Sequence, residues 1–423
     1  MADSGGEKKR VVVIGGGVAG SLIARSLQDE ANVTLIDMKE YFEIPWAALR
    51  SMCDPSFAQR AVFSHSEYLP HGNVITSAAA NITDTEVVTA KGDKVAYDFA
   101  VIATGHSETG AYTKDEKFSQ YQTDHQKIKS ASSILIIGGG QTGVELAAEI
   151  AVDYPDKKVT IVHRGSMLLE FIGESASNKV VHWLKSRKVE IILGQSVDVN
   201  SAKDGVYKTS GGQTIDAECH FICIGKPIGS GWLKETVLKG SLDIHGRLMV
   251  DSDLKVKGRS NVFGIGDITD IPKTYVARTS KYATTPVSDP PKMHSFWRIQ
   301  LTRQKTSAFF PYTYLCLNMY THEMDQKNHW SKIHHELKLG YLAQRHAGIA
   351  AKNIRLLMKN ANDNNLNVYK PALPLSLIAL GKKEAVAQFY CLSCIGRLPG
   401  MIKSGDLFVG RTRKQLGLLS ELQ

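Results

Sequence analysis

Two short segments hold the residue types that bind a dinucleotide. The first is Gly15-Gly16-Gly17-Val18-Ala19-Gly20 and the second is Gly138-Gly139-Gly140-Gln141-Thr142-Gly143. A glycine turn between a strand and a helix brings backbone close to a pyrophosphate, and the helix N-terminus meets it with N–H groups and a partial positive charge. Gly15 permits the tight turn, Gly17 clears a side chain from beneath the phosphates, and Gly20 lets helix and strand pack. Gly138, Gly140 and Gly143 hold the same offsets in the second segment. About 20 residues past the first turn, Asp37 stands where a carboxylate accepts from the ribose hydroxyls of an unphosphorylated adenosine. The second turn leads instead to His163-Arg164, a cationic ending that suits a 2′-phosphate. NADPH is therefore favoured there, with NADH left open. Two nucleotide sites in one chain imply a resident flavin and a visiting nicotinamide. Thr104-Gly105 and Gly266-Asp267 each follow an apolar run, and an aspartate behind a glycine can accept from ribitol hydroxyls.

The elements that must position these groups are legible around them. Val11–Ile14 and Ile134–Ile137 are continuous apolar, β-branched runs, as strands covered on both faces require. Each enters a glycine turn, then an amphipathic helix (to about Gln28 and Val152), then a second strand, Val33–Asp37 or Val159–His163. Both read as βαβ units. Further strands are expected at 74–76, 86–89, 99–103, 189–193 and 220–224, with hairpin turns at Lys91-Gly92-Asp93 and Ser210-Gly211-Gly212. A long helix is expected from Gly340 to about Lys359, then an Asn-rich linker and a short α+β tail.

With 423 residues, 43% of them hydrophobic and 22% charged, the chain has the composition of a globular protein of two or three domains. Six cysteines are too sparse for a secreted disulfide framework. No apolar run reaches the roughly 20 residues of a membrane span. The polar N-terminus lacks the pattern of a signal peptide or of N-myristoylation. A cytoplasmic protein is expected, with a mitochondrial one as the alternative.

These residues give the chain a family likeness. It resembles the FAD-dependent pyridine nucleotide oxidoreductases, on a branch of plant proteins similar to apoptosis-inducing factor and ferroptosis suppressor protein, with type II NADH dehydrogenases more distant. The likeness rests on Tyr41–Trp46, Gly138–Glu145, Ile265–Asp270 and Asp406–Gly410. It implies an α/β fold: two Rossmann-like domains, the NAD(P)H domain inserted in the FAD domain, plus a small α+β C-terminal domain. The implied boundaries are 8–110 and 229–272 for the FAD domain, 111–228 for the NAD(P)H domain, 336–360 for an FAD-domain helix and 361–423 for the C-terminal domain. It also implies hydride transfer from NAD(P)H to FAD and on to a quinone-like acceptor. By the family pattern Gly16–Gly20 hold the FAD pyrophosphate, Asp37 its ribose, and Arg50, Ala79 and Asp267 further parts of it. Glu145 would lie near the nicotinamide and Lys403 near the flavin and acceptor, with Gln344 and His346 as contacts at the start of the long helix. The chain departs from the family at Gln141, Gly264 and Gly405.

Related disulfide reductases need two thiols beside the flavin, whereas this chain offers only Cys53 in that region, so direct transfer to the acceptor is expected. Residues 273–335 do not fit the pattern. They contain none of the 36 glycines, five of the 14 histidines, and +6 of the net charge of +9. A retained intron is the expected origin. The histidines lack zinc-site spacing, so no metal is expected, and with the segment set aside little charge remains for nucleic acid. The segments 398–403 and 411–414 could touch an anionic membrane peripherally. The oligomeric state is left open. A nucleotide-regulated redox-sensing protein and a monodehydroascorbate-type reductase are the alternatives.

Overall fold

The β-branched runs form the centres of two parallel sheets. In the computed structural model, which describes residues 7–107, 110–271, 339–371, 375–389 and 392–418, the first sheet has five strands. Their order is Val262–Gly264, Phe99–Ile102, Arg10–Ile14, Asn32–Asp37 and Asn73–Thr76, all parallel. The second has four parallel strands in the order Glu190–Leu193, Lys158–His163, Ser133–Ile137 and Cys219–Ile222. In each, the strand entering the glycine turn is interior and covered on both faces. The helix that follows the turn lies on one side. An antiparallel hairpin lies on the other, where Val12 and Ile14 meet Ile82 and Val87 and where Leu135 and Ile137 meet Tyr207 and Ile215. That accounts for the unbroken apolar runs.

The described residues up to Asp270 and from Leu339 onward form one compact unit. The expected insertion at 273–335 lies outside the described residues. Antiparallel hairpins occur at both expected turns: Gly92 lies between Glu86–Thr89 and Lys94–Ala96, and Gly212 between Val206–Lys208 and Thr214–Asp216. The tail contains an antiparallel sheet, Leu375–Leu380, Glu384–Phe389 and Leu392–Gly396, then helices Arg397–Lys403 and Val409–Gln415.

Two helix placements matter for the site. Val18–Leu27 packs along Gly340–Met358, so the N-terminal ends of both approach the first sheet. Gln141–Asp153 is buried on nearly every face from Gly143 to Ala151, between helix Ala48–Cys53 and strand Leu375–Leu380. The helix Lys114–Ser130 has no counterpart in the hydrophobic pattern, because it buries only Tyr121 and Ile128.

Candidate functional site

The first glycine turn is fixed by close packing. Gly15 has φ +99°, and a Cβ there would lie 2.6 Å from the Ala103 carbonyl oxygen. A Cβ on Gly20 would run into the Gly15 carbonyl. Gly17 differs: it is the N-cap of Val18–Leu27, no side chain caps that end, and nothing lies within 4 Å of a Cβ built on it. An uncapped helix start above open space, with Val18 and Ala19 as its first residues, fits a phosphate group. Asp37 closes the turn from the neighbouring strand. It is buried, and its carboxylate accepts from the Gly16 N–H and, at 2.7 Å, from the Lys39 N–H.

His65 also stands here, a residue that the sequence pattern did not reveal. It is buried beside Gly16, its Nδ1 is 2.7 Å from the Tyr68 hydroxyl, and its Nε2 has no hydrogen-bond partner among the described residues. Burial pushes the imidazole down to about 4, and the Asp37 charge opposes this only in part. A proton that binds the unfolded chain more tightly destabilises the fold as pH falls. The stability from neutral His65 should be complete above about pH 6.5 and lost between there and about pH 4, roughly 3 kcal/mol in all. Chemical denaturation across that range checks this: a His65→Gln variant should show a shallower slope than wild type.

Gly266-Asp267 and Thr104-Gly105 lie at the same sheet edge. Gly266, with φ +74°, sits where a Cβ would be 3.3 Å from Ala19 Cβ and 3.8 Å from Ala343 Cβ, so it touches the first turns of both helices. Its N–H donates to His346 Nδ1 at 3.1 Å. Asp267 Oδ2 lies 3.3 Å from Nδ1 of His106, a neighbour not foreseen from sequence. The Thr104 hydroxyl donates to the Gly229 carbonyl at 2.7 Å, and Gly105 takes φ +53°. Gln344 donates to Gln415 Oε1 at 3.1 Å from the first turn of the long helix. Ala79 begins a strand paired with Thr89 and packs against the core of the first sheet.

The second turn repeats the geometry with different chemistry. Gly138 has φ +118°, a Cβ on Gly143 would run into the Gly138 carbonyl, and Gly140 is an uncapped helix start over open space. Here His163 replaces the aspartate: its Nδ1 accepts the Gly139 N–H at 3.1 Å. Burial lowers the imidazole's pKa, with Glu170 opposing. Arg164 is exposed beyond it. Glu170, with Oε1 3.9 Å from His163 Nε2, puts a carboxylate in the same neighbourhood.

Glu145 and Lys403, 258 residues apart, meet. Lys403 Nζ donates to Glu145 Oε1 at 2.6 Å and to the Leu377 carbonyl at 2.8 Å, while the same carboxylate oxygen accepts the Ala379 N–H at 2.9 Å. Glu145 is 5% and Lys403 4% exposed. A buried ion pair is about neutral in stability against an apolar replacement of equal volume, so stability alone does not account for these residue types.

Arg50, which the family pattern gives to FAD, has all five guanidinium N–H groups engaged by protein acceptors. Nε and Nη2 donate to Glu149 at 3.2 and 2.7 Å, Nη2 also to the Gly381 carbonyl at 3.1 Å, and Nη1 to the Ser404 and Gly405 carbonyls. Burial raises the Glu149 pKa, and Arg50 counters it.

Cys53 is buried in the core of the second sheet, and burial pushes its thiol upward. Leu398, Met401 and Ile402 on the helix that ends at Lys403 are 75%, 82% and 63% exposed. Arg397, Arg411 and Lys414 are exposed as well, whereas Thr412 is buried and Arg413 packs over the Phe63 ring. Among the described residues no helix is long and apolar enough to cross a membrane, and no group of three His, Cys, Asp or Glu is placed to hold a metal ion.

Comparison with known proteins gives the family and the fold. The family model described as pyridine nucleotide-disulphide oxidoreductase matches residues 9–281. The chain is 27% identical over 440 residues to apoptosis-inducing factor homolog B of Dictyostelium discoideum, covering 97% of each chain. It is 25% identical over 433 residues to ferroptosis suppressor protein 1 of Xenopus tropicalis, covering 97% of this chain and 96% of that one. The sulfide:quinone oxidoreductase of Aquifex aeolicus shares the fold with TM-score 0.66 and 19% identity, over 96% of this chain and 92% of that one.

Proposed function

The chain belongs to the pyridine nucleotide-disulphide oxidoreductase family, and on that premise we propose that it is an FAD-dependent NAD(P)H oxidoreductase that reduces a quinone-type acceptor. The observation that carries this reading is the pairing of two uncapped glycine-turn helices, one beside Asp37 and one beside His163, within one unit that also buries the Glu145–Lys403 pair. The flavin, when bound, would accept hydride from the nicotinamide and pass the electrons on. The chain's task is to bind, orient and supply charge.

Gly17 and the first turn of Val18–Leu27 would hold the FAD pyrophosphate, Asp37 the ribose, and Asp267 behind Gly266 the ribitol. Gly140 and its helix would hold the nicotinamide dinucleotide. There Arg164 favours a 2′-phosphate while Glu170 opposes it, so NADPH and NADH are both donors to test. Lys403 Nζ would offer a fixed positive charge toward the flavin and acceptor. Glu145, which also binds the Ala379 N–H, keeps the ammonium in place. The quinone acceptor draws support from the likeness to the sulfide:quinone oxidoreductase of Aquifex aeolicus. The exposed Leu398, Met401 and Ile402, with cationic neighbours, suit peripheral contact with an anionic bilayer where an apolar quinone would be met.

An absorbance scan of purified protein tests the reading. A flavin spectrum that bleaches on anaerobic NADPH or NADH and returns on adding a quinone is expected. Protein that stays colourless after reconstitution with FAD would overturn it.

A further inference from the structure

The helix Gln141–Asp153 carries two buried carboxylates one turn apart, and the reading above uses only Glu145. Glu149 is held by Arg50 in a pair whose side chains are 3% and 4% exposed. The other contacts of Arg50 are informative because of where they fall. Ser404 and Gly405 directly follow Lys403, and Gly381 directly follows the strand that supplies the Leu377 carbonyl and the Ala379 N–H. One guanidinium thus ties both segments that converge on the Glu145–Lys403 pair to the same helix that carries Glu145.

We propose that Arg50 is a positioning residue for Lys403: by gripping the Ser404, Gly405 and Gly381 carbonyls from Glu149, it holds the ammonium on Glu145. This deepens the proposed function and rests on Lys403 being the charged group beside flavin and acceptor. Lys403 ends a helix of seven residues, Arg397–Lys403, and such short helices fray at their last turn unless something outside binds the terminal carbonyls. A cation at that end also complements the helix dipole. The planar fork of arginine can serve Glu149 and three carbonyls in different directions at once, which the compact ammonium of a lysine cannot. The Ser404 hydroxyl, donating to the Glu384 carbonyl at 2.6 Å, anchors the same turn to the neighbouring strand.

Acylation by acetic anhydride, read at Lys403 by mass spectrometry, tests the contact without any nucleotide. Lys255, buried and paired with Asp253 and Asp363, is the internal control. Arg50→Gln leaves Glu149 buried without its partner and could fail to fold, so the decisive variant is Arg50→Met with Glu149→Leu, a paired apolar replacement of the kind that is often neutral in stability. In that variant Lys403 should acylate about tenfold faster with Lys255 unchanged, and turnover per bound flavin should fall about tenfold with the NAD(P)H KM unchanged. Adding Lys403→Met should cause no further loss of turnover beyond that of Lys403→Met alone, as expected when one residue acts through the other. Unchanged Lys403 acylation, a parallel rise at Lys255, or additive losses would each overturn the proposal. Failure of the proposed function is distinguishable, because a wild-type protein that takes no electrons from NAD(P)H leaves the acylation result readable.

Discussion

Gly20→Ala is expected to destabilise the first Rossmann unit by about 3 kcal/mol and to abolish retention of the flavin nucleotide, while Gly17→Ala abolishes retention alone. The two glycines lie three residues apart and do opposite work. A Cβ on Gly20 meets the Gly15 carbonyl, and Gly15 cannot retreat because its own position is already tight against the Ala103 carbonyl oxygen. Relief requires the helix Val18–Leu27 to lift from the strand Arg10–Ile14, an overpacking cost at the upper end of about 1–3 kcal/mol. A Cβ on Gly17 meets nothing within 4 Å, and its backbone lies in a region open to any residue. The fold should therefore lose no more than about 1 kcal/mol from the weaker N-cap, yet the methyl group would occupy the space assigned to the pyrophosphate. Thermal denaturation of the apoproteins with a flavin titration separates the two. If Gly17→Ala binds FAD as wild type does, the cradle is misplaced.

What could be read from the residues follows from how local each signal is. The central strands were legible because Val11–Ile14 and Ile134–Ile137 are covered on both faces, so nearly every position had to be apolar. The helix Lys114–Ser130 buries two side chains and carries no such stripe; only its capping box, Thr113 with Glu116, marks its start. The glycine turns were legible because backbone geometry and residue type are bound together at Gly15 and Gly138. Partners of long side chains were not. Arg50 could be placed on a segment, but its acceptors lie 99 to 355 residues away, and nothing local selects them. His65 is similar: its place beside Gly16 follows from how the chain returns to the sheet, not from its neighbours in sequence. Glu145 and Lys403 were each singled out, but their contact is a product of the tail folding back over Gln141–Asp153.

That contact supports the second large effect, on Lys403→Met. The substitution keeps length and apolar stem but removes the ammonium, leaving Glu145 buried with the Ala379 N–H as its remaining strong donor. Breaking one side of a buried pair costs about 3–5 kcal/mol, and losing a fixed charge aimed at a reacting group costs on the order of 100-fold or more in turnover. The two losses have different remedies. Pairing Lys403→Met with Glu145→Gln removes the stranded carboxylate, so most of the stability should return while turnover stays low. Denaturation midpoints report the first, and rapid-mixing measurements of flavin reduction by NAD(P)H and reoxidation by quinone report the second, with reoxidation expected to slow more. Were the double variant to regain turnover along with stability, the pair would be a packing device, and the positive charge that the acceptor step requires would have to come from elsewhere.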